Sequence, residues 1–176
     1  WNEAAQGCKY IMHLASPFPF KVSNNRNSLL APAVDGTLRV LNAGLNANIE
    51  QFIVTSSIAA MFRKPIRSNP YSFDENDWTD ENWKEGVNDY FLSKTKAEKA
   101  AWELIESKGL KNKLTMINPG GVFGDALDKK GGTSIEYVRQ FMKGKFPAAP
   151  KWGILISDVK DVAKAHVACI GNTKVG

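Results

Sequence analysis

Two rhythms of apolar residues alternate along the chain. Short unbroken runs, "KYIMHLA" (9–15), "QFIVTSS" (51–57), "KLTMINPGG" (113–121) and "GILIS" (153–157), predict buried strands. Between them apolar positions recur at helical spacing. Leu30, Val34, Leu38, Leu41 and Leu45 predict a helix in which Pro32 fits only near the start, where a missing N–H costs little. Leu92, Ala97, Ala100, Ala101 and Leu104 predict a second helix, with Gly109 as its C-terminal cap. "TSIEYVRQFMKG" predicts a third, starting near Thr133 or Ser134, and "DVKDVAKAHVACIG" a fourth. Strands alternating with helices of ten or more residues argue for βαβ units around a parallel sheet covered on both faces. The polar stretch from Arg63 to Asn88 breaks the pattern, and a connection of that length is usually functional or disordered.

Composition adds exclusions. The 176 residues suffice for one domain with a sizeable core, and 43% apolar content with 23% charge is ordinary for a globular protein. No apolar run approaches the roughly 18 residues of a membrane span, so no membrane partner is expected. Cys8 and Cys169 are too few for a disulfide framework and lack metal-ligand spacing, which points to a reducing, cytoplasmic setting and no metal. His13 lies in an apolar run and His166 in a helical one, so a structural reading outweighs a catalytic one for both. The net charge of +5 is concentrated after Lys111, with 11 basic and 5 acidic residues there. The lysines are scattered without interleaved aromatics, which argues for solvated side chains and against nucleic acid.

Tyr90 and Lys94 stand four residues apart at the start of the second long helix, on one face. A phenol of ordinary pKa near 10 gives up its proton poorly at neutral pH unless the phenolate is stabilised, and an ammonium one turn away can do that. The strand ending "IVTSS" sets Ser56 and Ser57 at the edge where open α/β sheets bind ligands. A hydroxyl there can hydrogen-bond a substrate carbonyl as charge develops on its oxygen.

"YFLSKTKAEKAAW", preceded by "FIVTSSIAA" and followed by "MINPGGVFGD", resembles the short-chain dehydrogenase/reductase superfamily in its extended, atypical form. The nearest branch is the dihydroflavonol reductase, cinnamoyl-CoA reductase and aldehyde reductase group. "GCKYIMHLASPFPF", "PAVDGTLRVLNA", "DENDW" and "SDVKDVAKAHV" match it in order, so the resemblance covers nearly the whole chain. It implies a Rossmann-type doubly wound parallel sheet and an NADPH-dependent reductase of a small-molecule carbonyl substrate, with NAD as the alternative cofactor. Tyr90 would give the proton, Lys94 would lower its pKa and hold the nicotinamide ribose, and Ser57 would orient the carbonyl. Leu14, Ala15, Ser16, Thr55 and Ser56 would lie against the cofactor. Pro119, Gly120, Gly121 and Val122 would line the nicotinamide, and Ser134 would reach a phosphate.

The family's glycine-rich dinucleotide turn has no counterpart here. "GGVFG" follows a later strand and no helix starts directly after it. The expectation is therefore an incomplete sheet, with residues 1–124 as the C-terminal part of the nucleotide-binding domain and 125–176 as the start of a substrate-binding region with a return strand and helix. On this reading the opening strands are missing and the 176 residues alone bind NADPH poorly. A monomer or homodimer is expected. Two other functions share these residues: a nucleotide-sugar epimerase or hydroxysteroid dehydrogenase, and a non-catalytic cofactor-binding regulator. Ala33, where epimerases usually carry Asn, favours the reductases over the first, and the intact Ser57, Tyr90 and Lys94 set argues against the second.

Overall fold

A computed structural model describes residues 1–18, 27–66, 71–127, 132–148 and 153–172. Three parallel strands form the central sheet: β1 (Tyr10–His13), β2 (Gln51–Thr55) and β3 (Leu114–Ile117), in the order β1-β2-β3. Tyr10 pairs with Gln51 and Phe52 with Leu114. The central strand β2 is buried along nearly its whole length, as its unbroken apolar run requires.

Helices cover both faces of β2. Phe52 and Val54 pack with Leu41 of α2 (Asn27–Asn46), with Ala101 and Ile105 of α3 (Asp89–Ser107), and with Ile49 and Leu114. The alternate residues turn the other way. The Gln51 amide donates to the carbonyls of Cys169 and Asn172, and Thr55 meets His166, at and within α5 (Val159–Cys169). The doubly wound arrangement expected from the sequence is thus present. A short helix, α1 (Asn2–Ala5), precedes β1.

Two expectations about elements need correction. Pro32 lies inside α2 rather than near its start, because the helix begins at Asn27. Pro32 is exposed there and gives no N–H to the helix. "GVF" is a strand, β4 (Gly121–Phe123), and pairs in parallel with β5 (Ile156–Asp158) as a second, two-stranded sheet. The fourth predicted strand accordingly begins later than "GILIS" suggests. Gly109 does follow the end of α3 with a φ of +68°, the left-handed position expected of a cap. α4 (Thr133–Met142) starts where predicted and has no buried residue.

The long polar connection, over residues 71–88, contains neither helix nor strand. It is anchored by buried Thr79, whose hydroxyl donates to the Ala59 carbonyl and accepts the Arg63 N–H. Among the described residues no helix is long and apolar enough to cross a membrane, and no cluster of His, Cys, Asp and Glu is suited to a metal. Cys8 and Cys169 are free thiols.

The start of α3 depends on Asn88. Its side-chain oxygen accepts the N–H groups of Tyr90 at 3.0 Å and Phe91 at 3.1 Å. Asn88→Ala is expected to lower stability by about 1 kcal/mol in urea unfolding, with Asn88→Asp keeping most of it. Equal losses in the two variants would show that the cap contributes nothing.

Candidate active site

The C-terminal ends of β1, β2 and β3 meet the first turns of α3 in a narrow cleft lined by His13, Ser16, Thr55, Ser56, Lys94 and Glu98. The cap at Asn88 fixes Tyr90 in the first turn, and the helical repeat puts Lys94 one turn on. The Lys94 ammonium lies 5.9 Å from the centre of the Tyr90 ring. The ring of Phe18 packs against Tyr90 at 4.9 Å, tilted by 38°. Ser57 follows β2 in extended conformation and caps a short turn (58–60), its hydroxyl accepting the Ala59 N–H at 3.2 Å. That leaves the Ser57 hydroxyl proton free to point at the phenol. Burial pushes the Tyr90 phenol above its ordinary range, and the Ser57 hydroxyl opposes the shift. The net direction is upward, against the lowering expected from Lys94, because burial outweighs the neighbouring hydroxyl, and the phenol is protonated at pH 7.

Lys94 is only 7% exposed. Burial lowers its ammonium to about 8, against the pull of the Glu98 charge. Glu98, 8% exposed, is pushed up by burial and drawn back by Ser56, Asn118, Trp102 and Lys94. The Ser56 hydroxyl lies close enough to favour the charged carboxylate, yet makes no hydrogen bond of ordinary geometry to it or to any other described group. His13 is held below its usual range by burial and then by Lys94, so it is neutral at pH 7; it sits 3.5 Å from the Thr37 hydroxyl.

Ser16, Thr55, Ser56 and Lys94 line the cleft, and Tyr90 adjoins it beside Lys94 with the Ser57 hydroxyl at its phenol; the other expected positions do not all join them. Leu14 and Ala15 line an apolar groove with Trp1 and Met12, along the edge of β1 that is unpaired among the described residues. Pro119 accepts the Ile58 N–H, which joins its loop to the turn after Ser57. Gly120 and Gly121 donate to Ser157 and Leu155 beside β5. A Cβ on Gly120 would stand 2.5 Å from the Leu155 carbonyl oxygen, so packing alone requires glycine there. Val122 belongs to β4. Ser134 lies in the first turn of α4, and no described contact brings it to the cleft; its neighbour Thr133 donates to the Phe18 carbonyl.

Glu98, Asn118 and His13 went unread as site residues. One signal was available for the first. Lys94, Ala97, Ala101 and Ile105 form the buried stripe of α3, and Glu98 is a charge in register with it. His166, by contrast, is a strut. Its Nδ1 faces the Val162 carbonyl, which only accepts, so Nδ1 carries the proton and Nε2 takes the Thr55 hydroxyl at 2.6 Å.

A parallel sheet wound on both faces, with Ser, Tyr and Lys gathered at the carboxyl edge of its strands, defines a short-chain dehydrogenase/reductase. Within that superfamily the chain belongs to the 3-beta hydroxysteroid dehydrogenase/isomerase family, whose model matches residues 1–170. It is 36% identical over 167 residues to cinnamoyl-CoA reductase 1 of Petunia hybrida, covering 94% of this chain and 48% of that protein. To the NADPH-dependent methylglyoxal reductase Gre2 of Saccharomyces cerevisiae it is 36% identical over 178 residues, covering 90% of this chain and 51% of the relative. The crystal structure of yeast Gre2 complexed with NADPH superposes with a TM-score of 0.80 at 32% identity, over 99% of this chain and 56% of the other. Vestitone reductase from alfalfa gives 0.71 at 27% identity, over 99% and 54%. The chain spans about half the length of these relatives. The resemblance read from the motifs is borne out.

Proposed function

We propose that the protein is an NADPH-dependent reductase of small aldehydes or ketones, in which Tyr90 delivers the proton to the carbonyl oxygen. The carrying observation is the Tyr90 phenol with the Ser57 hydroxyl at its oxygen and the Lys94 ammonium 5.9 Å from its ring centre. The NADPH-dependence of the yeast methylglyoxal reductase and the reductase names of both relatives support the same reading.

The residues fit a dinucleotide. Ser56 Oγ is buried without an ordinary hydrogen-bond partner among the described groups, beside the Lys94 ammonium. The cleft therefore offers a hydroxyl and a cation to a ribose, with Ser16 and Thr55 at its walls. Pro119, Gly120, Gly121 and Val122 would border the nicotinamide. Bound NADPH would supply a hydride.

The protein's own groups do the rest. The Ser57 and Tyr90 hydroxyls donate to the substrate oxygen and fix its position as negative charge builds on it. The Tyr90 proton then passes to that oxygen, and the Lys94 ammonium stabilises the phenolate left behind. Phe18 packs its ring against the phenol and provides an apolar wall there.

The test, made on the whole protein that carries these residues, is NADPH consumption, followed by absorbance, with methylglyoxal and with cinnamoyl-CoA, alongside calorimetric NADPH binding. Consumption with either compound and formation of the reduced product is expected. Tight binding without turnover on any aldehyde would replace this function by the regulatory one.

A further inference from the structure

We propose that Glu98 is a positioning residue, a buried carboxylate that holds the positive charge on Lys94 and, through the Asn118 amide, ties that charge to the Ser57 end of the site. The inference rests on the reductase function for its catalytic consequence only.

Three observations carry it. Glu98 is one turn beyond Lys94 on α3, where side chains four apart are neighbours, and both are buried. Asn118, just past β3, donates from Nδ2 to Glu98 Oε2 at 2.8 Å and to the Ser57 carbonyl at 3.2 Å. Both partners accept, so the amide must present its NH₂ group to them, and its two protons are both used. One side chain thus links the carboxylate behind Lys94 to the backbone of the serine in front of it. Third, burying a carboxylate is costly, and an apolar side chain would fill an interior helix position at less cost. The fold alone does not call for a charge at residue 98.

The electrostatic surroundings leave this role to Glu98. β1 presents His13 to Lys94, neutral at pH 7. From α3 come Tyr90 and Glu98. α2, β2 with the residue after it, and β3 add no charge at this cleft: Thr37, Val54, Thr55, Ser56 and Met116 are all uncharged. Among the described residues the Glu98 carboxylate is therefore the anion that offsets burial of the ammonium. Without it the amine loses its proton at lower pH, and stabilisation of the Tyr90 phenolate ends sooner.

The test compares the wild type with Glu98→Gln and Glu98→Asp. Gln keeps the acceptor for Asn118 and removes the charge; Asp keeps the charge. The Lys94 titration is followed by ¹³C NMR of labelled lysine without cofactor, the signal being assigned by its absence in Lys94→Met. The pH profile of kcat/KM is measured in parallel. In Glu98→Gln the Lys94 midpoint should fall by about one pH unit, and the basic limb of the profile should fall with it, about tenfold in proton concentration. Glu98→Asp should restore most of both. An unchanged midpoint in a folded Glu98→Gln protein overturns the proposal. A shifted midpoint with an unshifted profile leaves Glu98 in this role and instead refutes Lys94 as part of a reductase. Should Glu98→Gln not fold, the labelled Glu98 carboxyl of the wild type decides: ionised at pH 7 supports the role, protonated at pH 7 overturns it.

Discussion

Tyr90→Phe is expected to lower turnover by roughly 10²–10⁴-fold while cofactor affinity changes little, because only the proton donor is removed. The substitution deletes one oxygen and keeps the ring that packs on Phe18. Ser57 still has the Ala59 N–H, and Asn88 still caps the helix through backbone groups that do not depend on the phenol. The site should stay assembled and lose its chemistry. NADPH absorbance under saturating substrate measures turnover, and a fluorescence titration measures affinity. Turnover within a fewfold of wild type would remove Tyr90 from the mechanism. A parallel collapse of affinity would instead mean that the phenol is a binding group.

Lys94→Met should move activity and stability in opposite directions. Turnover is expected to fall by about 10²-fold and NADPH affinity by about tenfold, as the ammonium serves both the phenol and the ribose. Stability should rise. The ammonium is brought down from 10.5 to about 8 chiefly by burial, which corresponds to roughly 3 kcal/mol against the folded state. The sign follows from proton binding. Between about pH 8 and 10.5 the unfolded chain holds a proton that the folded chain has released, so stability increases as pH rises through that window. At pH 7 both states are protonated and the cost is fully present. Methionine removes it, less whatever Glu98 loses with its neighbour. Urea unfolding at pH 7 should show the gain, and the contribution to the rise above pH 8 should vanish in the variant. Unchanged NADPH affinity would disprove the ribose contact; lowered stability would mean that Lys94 is a structural residue.

That trade explains why part of the site was legible without coordinates. Tyr90 and Lys94 share a helical face because the α-helical repeat is local, and Ser57 ends a strand that its own apolar run announces. The alternation of strands and helices carried the doubly wound parallel sheet in the same way. Local periodicity encodes burial, and burial orders the elements.

Other features needed the assembled sheet. β4 is three residues led by glycine, and it is a strand only because β5, more than thirty residues on, pairs with it. Gly120 is small for Leu155, a residue no local pattern connects to it. Glu98 reads along the chain as one more charge on a lysine-rich helix. Its place one turn beyond Lys94 is local, but its contact with Asn118 exists only when β3 lies beside β2 and α3 covers them. Local pattern in the chain was enough to place the strands, the helices and the groups that a single helix or strand end holds together. The tertiary structure alone decided which polar groups from different elements face one another, because strand order and helix docking are set by contacts between residues far apart in the chain.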